Sequence, residues 1–512
     1  MLYFETYIIS TSKRLAAEEN PHEFALKELF MFSIYYKEGK MRTFKFMAML
    51  CLCLLVFFAA PSNNGIAGNT VANPDQMGPY AVGFKFFLLT DPSRNTDIGG
   101  RPIAVYVWYP ANPGDVTAST PKAVYPLDPY NVQGGFDSTS EEWESLGLDP
   151  AYQAIPVSMD KPFPIVVFSP GWGCAAYFYL YLAQRLASHG FVVAALTHYR
   201  DWTLPLEPLD HPALTAMNRP RDVSFALTKL LEMNEVSGDL FYKFVNPNKI
   251  AASGHSFGGY ASLALAGGDD VVCDIFNDPF WSDYYGPPPP ETCVETLPDP
   301  RIKMIVPIDG SNQCLYFYEL ARISIPVMGI GEEWSTLKYI LVDTYGYPDY
   351  WASWQARQHA AMQGHPCYRV DVADTYHMTF GNFCEALVIW RDKGILSQEE
   401  YDDWVSWYCT APSVAPIPPE EAYRLTNKYV IAFLKTNLSK ETGYQNILTP
   451  GYAITREPRI EFFVTEKSNP NAIDEDWPGY YLYFMHQPGK AQAKAPKDPS
   501  PTLTIFHPRI RK

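Results

Sequence analysis

Three side chains far apart in the sequence have the types needed for nucleophilic acyl chemistry. In GHSFG, Ser256 stands between Gly254 and Gly258, with His255 and Phe257 as its immediate neighbours. A serine hydroxyl attacks a carbonyl only when a base takes its proton, and that base needs a carboxylate to fix its tautomer and stabilise its charge. Five histidines follow Ser256: His359, His365, His377, His486 and His507. His377, in VADTYHMTF, sits just past a strand-like run with loop around it and is the expected base. His359 falls in a helical stretch, and His486 and His507 in an irregular tail. Asp309 ends IKMIVPID and is the favoured acid, while Glu332 and Glu333, after IPVMGIG, hold the other position an acid could take. A tetrahedral oxyanion requires two backbone N–H groups aimed at one point. One should come from Phe257, directly after the serine. The other should come from FSPGWGC, where Trp172 is best placed and Gly171 and Gly173 let the backbone approach closely.

Such residues must be carried by elements that end at one rim of the fold. YAVGFKFFLL (80–89) and RPIAVYVWYP (101–110) read as two strands joined by a polar turn. Residues 111–160, rich in Pro, Asp, Ser and Gly, read as a long surface excursion. FPIVVFS (163–169), FVVAALTH (191–198) and NKIAASG (248–254) are then apolar strands, separated by helical patterns over 177–190 and 219–234. Runs at 302–309, 325–331 and 368–374 repeat the strand signature. Continuous β-branched runs alternating with helices predict a mostly parallel sheet covered on both faces, an α/β protein. Parallel sheets place their chemistry at the carboxyl ends of the strands, which is where Ser256 falls. The passage from strand into small-residue helix makes the turn at Ser256 sharp, and Gly254 and Gly258 remove side chains that would collide across it.

The 512 residues are 47% hydrophobic and 15% aromatic, enough for a large core. A formal charge of −16 with no offsetting basic tract argues against nucleic acid as a partner. From Met41, two basic residues (Arg42 and Lys45) precede an apolar run from Phe46 to Phe58 and then small residues, the pattern of a secretory signal over 41–67. That run is short beside the roughly 20 residues of a membrane span. Residues 1–40 then read as an upstream extension, and the mature protein is expected to be secreted or periplasmic, without a stable span. Seven of the nine cysteines follow the signal, an odd number that leaves a free thiol if the rest pair. Cys273 and Cys293 bracket a loop rich in aromatics and proline and are the first expected bridge, with Cys384 and Cys409 as a second. Neither CxxC nor HExxH occurs, so no metal and no other cofactor is expected.

PIVVFSPGWG, YLAQRLASHGFVVAALTHYRD, KIAASGHSFGGYASL, VPID and YHMTFGNF together resemble the platelet-activating-factor acetylhydrolase family (secreted and type II enzymes) and its bacterial relatives. VGFKFFLLTDPSR and RPIAVYVWYPA are similar to the start of those proteins. The resemblance spans roughly 78–440 and implies the α/β-hydrolase fold for that segment, with an irregular tail over 441–512. It also implies a serine esterase using Ser256, His377 and Asp309, acting on short-chain acyl esters and on acetylated phospholipids of the platelet-activating-factor type. The position of the acid in that family supports Asp309 over Glu332. The chain departs from the pattern at Pro170-Gly171, where the family often has His-Gly. Its aromatic-rich stretches within 267–300 and 335–366 are its own, and they either line an acyl or aromatic pocket or pack as an added subdomain. Alternatives are a polyester or cutin-type hydrolase with the same triad, and a non-catalytic binding protein that kept the fold.

Overall fold

The computed structural model describes residues 71–465, apart from 97–98, 132–133, 159–160, 202–208, 278, 311–313, 334–360 and 411–416. The expected extension, the signal at 41–67, His359, His486 and His507 lie outside the described residues. Eleven strands are present among the described residues: β1 (Ala81–Thr96), β2 (Gly99–Ala111), β3 (Val124–Pro126), β4 (Asp137–Thr139), β5 (Phe163–Ser169), β6 (Val192–His198), β7 (Val245–His255), β8 (Met304–Ile308), β9 (Val327–Glu332), β10 (Cys367–Val372) and β11 (Ile460–Thr465). Nine form one sheet in the order β1-β2-β6-β5-β7-β8-β9-β10-β11. The six strands from β6 to β10 run parallel, while β1 and β2 at one edge and β11 at the other are antiparallel to their neighbours.

The apolar runs form strands because both faces of the sheet are covered. Every residue of β5 and of β6 is buried, which only a two-sided cover permits. Along β5 the side chains alternate, Val166 and Phe168 into one core and Ile165 and Val167 into the other. The helices include α1 (Ser140–Glu144), α2 (Leu180–Ser188), α3 (Pro212–Glu235), α4 (Phe257–Gly267), α5 (Phe383–Asp392), α6 (Gln398–Tyr408), α7 (Pro419–Leu434) and α8 (Pro450–Arg456), with two further short α-helical segments, Pro279–Tyr285 and Phe317–Leu320, and 3₁₀ turns between them. α3 and α4 pack on the face of Ile165 and Val167; α2, α5 and α7 pack on the face of Val166 and Phe168. The protein thus has the α/β-hydrolase architecture, a mostly parallel sheet between helical layers. No helix among the described residues is long and apolar enough to cross a membrane.

Three expectations need correction. Residues 111–160 are not a surface excursion. They hold the β3–β4 ribbon and α1, whose Thr139 and Glu142 form a capping box. Tyr125, Leu127 and Trp143 are fully buried, with the Tyr125 ring 4.7 Å from that of Phe84 in β1, the Trp143 ring 6.0 Å from that of Tyr177, and Trp143 Nε1 donating to Ser138 Oγ at 2.8 Å. Widely spaced aromatics within polar text supply that packing, and no periodic signal marks them. The tail after residue 440 is not irregular throughout: α8 is followed by β11, which pairs with β10 from Ile460↔Val372 to Thr465↔Cys367. Residues beyond 465 lie outside the description. Finally, α3 begins at Pro212 rather than at 219 and carries Pro220 inside it. Pro is most at home in a first turn, yet Pro220 sits in the helix interior. Burial of Ala213 and Ala216 instead holds the preceding turns helical.

Both expected bridges are formed, Cys273–Cys293 around the aromatic loop and Cys384–Cys409 joining the start of α5 to the end of α6. Cys174, Cys314 and Cys367 remain as buried thiols. The corrected 111–160 segment makes a prediction. Trp143→Ala should lower unfolding stability by about 3–5 kcal/mol in urea titration, whereas a loss below about 1 kcal/mol would return the segment to the periphery.

Candidate active site

Ser256 is the hinge between β7 and α4 and adopts φ 54°, ψ −123°. A side chain other than glycine is strained there, so surrounding contacts must enforce it. Its N–H donates to Ile308 O at 3.0 Å, and its carbonyl accepts from Gly259 N at 2.8 Å. Close backbone approach makes the flanking glycines necessary. A Cβ at Gly254 would lie 2.2 Å from Gly258 O, and one at Gly258 only 1.8 Å from Ser169 O. The hydroxyl is therefore carried at the carboxyl end of the central strand, one residue beyond the His255↔Ile308 pair.

Asp309 directly follows β8, itself at positive φ (41°), with its N–H on Ile330 O at 2.7 Å. Its carboxylate accepts from Nδ1 of His377 in an ion-pair geometry, with Asp309 largely buried and the imidazole about half exposed. His377 opens the 3₁₀ turn His377–Phe380 after β10. Asp309 and His377 are thus brought together at the rim of the sheet, on loops after strands on either side of β9. Glu332, the alternative acid, is the last residue of β9 and is buried. Burial, and then the neighbouring Asp309 carboxylate, push its pKa well above the ordinary value and favour its neutral form. A neutral carboxyl cannot stabilise an imidazolium as a carboxylate does.

His255 does more than separate a glycine from a serine. Its ring packs 4.5 Å from that of His377, and its Nε2 lies 3.0 Å from the His377 carbonyl. Its Nδ1 lies 2.8 Å from Tyr179 Oη, which accepts from Gly171 N at 2.9 Å. A carbonyl can only accept, so the proton is on Nε2 and Tyr179 donates to Nδ1. Burial, and then His377, lower the pKa of His255, so it is neutral. One chain of hydrogen bonds therefore runs from the loop after β5, through Tyr179 and His255, to the backbone of His377. The side-chain donor atoms of His255, Asp309 and His377 lie within 4.8 Å of one another. Tyr179 already occupies one of the two His255 nitrogens and the His377 carbonyl the other, so neither ring nitrogen of His255 is left for a metal ion.

Trp172 lies in the loop after β5, its ring 6.4 Å from Phe257 and in edge contact at 5.3 Å with Tyr285 of the disulfide-closed aromatic segment. That segment, with Phe276 and Trp281, borders the loop at the rim. Residues 334–360, which include most of the second aromatic-rich stretch, lie outside the description. Sequence reasoning missed a buried polar cluster beneath the loop. Arg219 pairs with Asp201 at 2.6 Å, and His198 links Ser169 Oγ and Asp222, both at 2.9 Å. Asp222 also pairs with Arg101 at 2.8 Å; burial alone would raise its pKa, but Arg101 and His198 hold it well below the usual carboxylate range. The only trace in the sequence is two Arg–Asp pairs, YRD and RPRD, beside apolar runs.

The model of the alpha/beta hydrolase family matches residues 166–424, just over half of the chain. The chain belongs to the alpha/beta hydrolase family. The first part of this hydrolase, residues 67–204, also matches the model of platelet-activating factor acetylhydrolase, isoform II. It is 29% identical over 167 residues to a platelet-activating factor acetylhydrolase of Cavia porcellus, a stretch covering 26% of this chain and 38% of that relative. The solved structure of a ferulic acid esterase from Streptomyces cinnamoneus is similar at 19% identity and a TM-score of 0.45, covering 75% of this chain and 96% of that one.

The buried His255 predicts how this hydrolase responds to acid. Its folded pKa lies below the ordinary value near 6.5, so below that pH the unfolded chain takes up a proton that the folded chain refuses. Stability from this site is fully present above about pH 6.5 and is lost as pH falls. His255→Gln should flatten the pH dependence of the unfolding free energy from urea titration between pH 6.5 and 5 by up to about 1.4 kcal/mol per pH unit. An unchanged slope would mean that the imidazole is protonated in the folded protein.

Proposed function

We propose that the protein is a secreted serine esterase that hydrolyses carboxylic esters through an acyl-enzyme intermediate. The observation that carries this reading is the Asp309–His377 pair at the rim where Ser256 sits at φ 54° beyond the central strand. In the proposed cycle, Ser256 Oγ attacks the ester carbonyl and its proton passes to His377 Nε2. Asp309 holds the Nδ1–H and stabilises the imidazolium. The amides of Trp172 and Phe257 stabilise the oxyanion. Collapse breaks the bond to the alcohol oxygen, which leaves with the proton from His377. Water, deprotonated by the same imidazole, then attacks the acyl-enzyme, and collapse of the second oxyanion releases the acid and restores Ser256.

Family membership supports hydrolysis as the chemistry, and the match of residues 67–204 supports short-chain acyl esters, including acetylated phospholipids, as the substrates. The two disulfides support an oxidising compartment, in line with the signal-like segment from Met41.

A fluorophosphonate should label the folded protein, and Ser256→Ala should abolish both labelling and p-nitrophenyl acetate hydrolysis; a folded wild type that never labels would refute the reading. Across p-nitrophenyl esters from acetate to palmitate, kcat/KM should be highest for the shortest acyl chains. The acid assignment is tested separately. Asp309→Asn should lower kcat by about 10⁴-fold, while Glu332→Gln, at a carboxyl whose burial favours the neutral form, should leave kcat within about tenfold. The reverse result would transfer the role.

A further inference from the structure

We propose that Arg219 is a positioning residue that orients the Trp172 amide of the loop after β5. This rests on the reading of that amide as an oxyanion donor. Arg219 is fully buried, and four of its hydrogen bonds converge on this loop and on Asp201. Nη1 donates to Pro170 O and to Ser169 Oγ at 3.1 Å; Nη2 donates to Gly171 O at 2.9 Å; Nε donates to Asp201 Oδ2 at 2.6 Å. Asp201 Oδ1 in turn accepts from Gly173 N at 3.4 Å. The ion pair therefore presents donors and an acceptor to successive peptide units of one loop.

Peptide planarity turns those contacts into a direction. In a trans peptide the C=O of one residue and the N–H of the next lie in one plane and point opposite ways. The Pro170–Gly171 unit obeys this visibly: its carbonyl is held by Arg219, and its N–H meets Tyr179 on the other side. In the Gly171–Trp172 unit the carbonyl is again held by Arg219. The Trp172 N–H must then point away from the guanidinium. At the next unit Gly173 N–H faces Asp201, so the chain has turned over between two held groups. Gly171 has no side chain to bias this peptide, and a flip would turn the N–H back toward the arginine. The charged fork opposes that flip from one side, and the Cys174 N–H, which donates to the same Gly171 carbonyl at 3.1 Å, supports it within the loop. A lysine offers a single point of donors and cannot grip two carbonyls and a carboxylate at once.

A purely structural ion pair would have a different signature, because its loss would lower stability and leave turnover per folded molecule unchanged. Two variants separate the cases. Arg219→Lys keeps a cation beside Asp201, and the double variant Arg219→Met with Asp201→Asn removes both charges, so neither leaves an unpaired buried carboxylate. For each, kcat with p-nitrophenyl acetate should fall about 10²–10³-fold, the effect of losing one oxyanion donor, with KM within about threefold. The affinity for an alkyl trifluoromethyl ketone, which adds the serine and places an oxyanion in the same position, should fall by a matching factor. Lys428→Met, which breaks a buried pair with Glu457 remote from this loop, serves as the control and should cost stability without changing kcat. Folded Arg219 variants with kcat within about threefold of wild type overturn the proposal, as does an inhibitor affinity that does not track kcat. A wild type that neither labels at Ser256 nor hydrolyses esters would instead refute the catalytic reading itself.

Discussion

Three backbone segments meet at the carboxyl end of the sheet closer than side chains allow, and the geometry of the site follows from that contact. Ser169 O would lie 1.8 Å from a Cβ at Gly258, Gly258 O 2.2 Å from one at Gly254, and the Gly310 backbone 2.4 Å from one at Gly259. With glycine at all three places, the loops after β5 and β8 can press against the first turn of α4. Ser256 is then trapped in a left-handed conformation that costs of order 1–3 kcal/mol. It does not relax because its own N–H and C=O are both held, by Ile308 and Gly259.

Around that contact, the fold handles polarity in two ways. On one side the groups are neutral: Tyr179 and His255 link the loop after β5 to the backbone of His377 through hydrogen bonds whose direction is dictated by chemistry. On the other side they are ionic: Arg219 with Asp201, and Arg101 with Asp222. Buried ion pairs contribute little net stability because desolvation offsets their attraction. Their location is more informative than their number, since Arg219 faces the loop that the catalytic reading requires to be rigid. Glu332 beside Asp309 fits the same logic, since burial and the neighbouring carboxylate both favour its neutral form.

Farther out, segments that read as peripheral close the structure. The β3–β4 ribbon brings Tyr125 onto Phe84 of β1 and Trp108 of β2, and α1 brings Trp143 onto Tyr177, all within one core. β11 caps the far edge of the sheet, so β10 has no open edge there. Asp75, Arg424, Lys428 and Glu457 form an ion-pair cluster joining the start of the described chain to α7 and the residue after α8. These contacts are long in sequence separation and consist of isolated side chains, and window-based patterns do not register them.

Local text determined what local physics controls. Apolar β-branched runs became strands, GHSFG became a strand–turn–helix with its serine strained, and cysteines around an aromatic loop became a bridge. Histidine and aspartate could be picked out at positions 377 and 309 because each follows a strand, and a parallel sheet gathers strand ends at one rim. Only the tertiary structure decided the rest: that His255 spans to Tyr179, that Arg219 grips the loop of Trp172, and that 111–160 sends Tyr125, Leu127 and Trp143 into the core. Each of these depends on which side chains lie within about 3 Å across large sequence separations. Such proximity is set by how whole layers pack, and it leaves no period or spacing in the sequence for a reader to find.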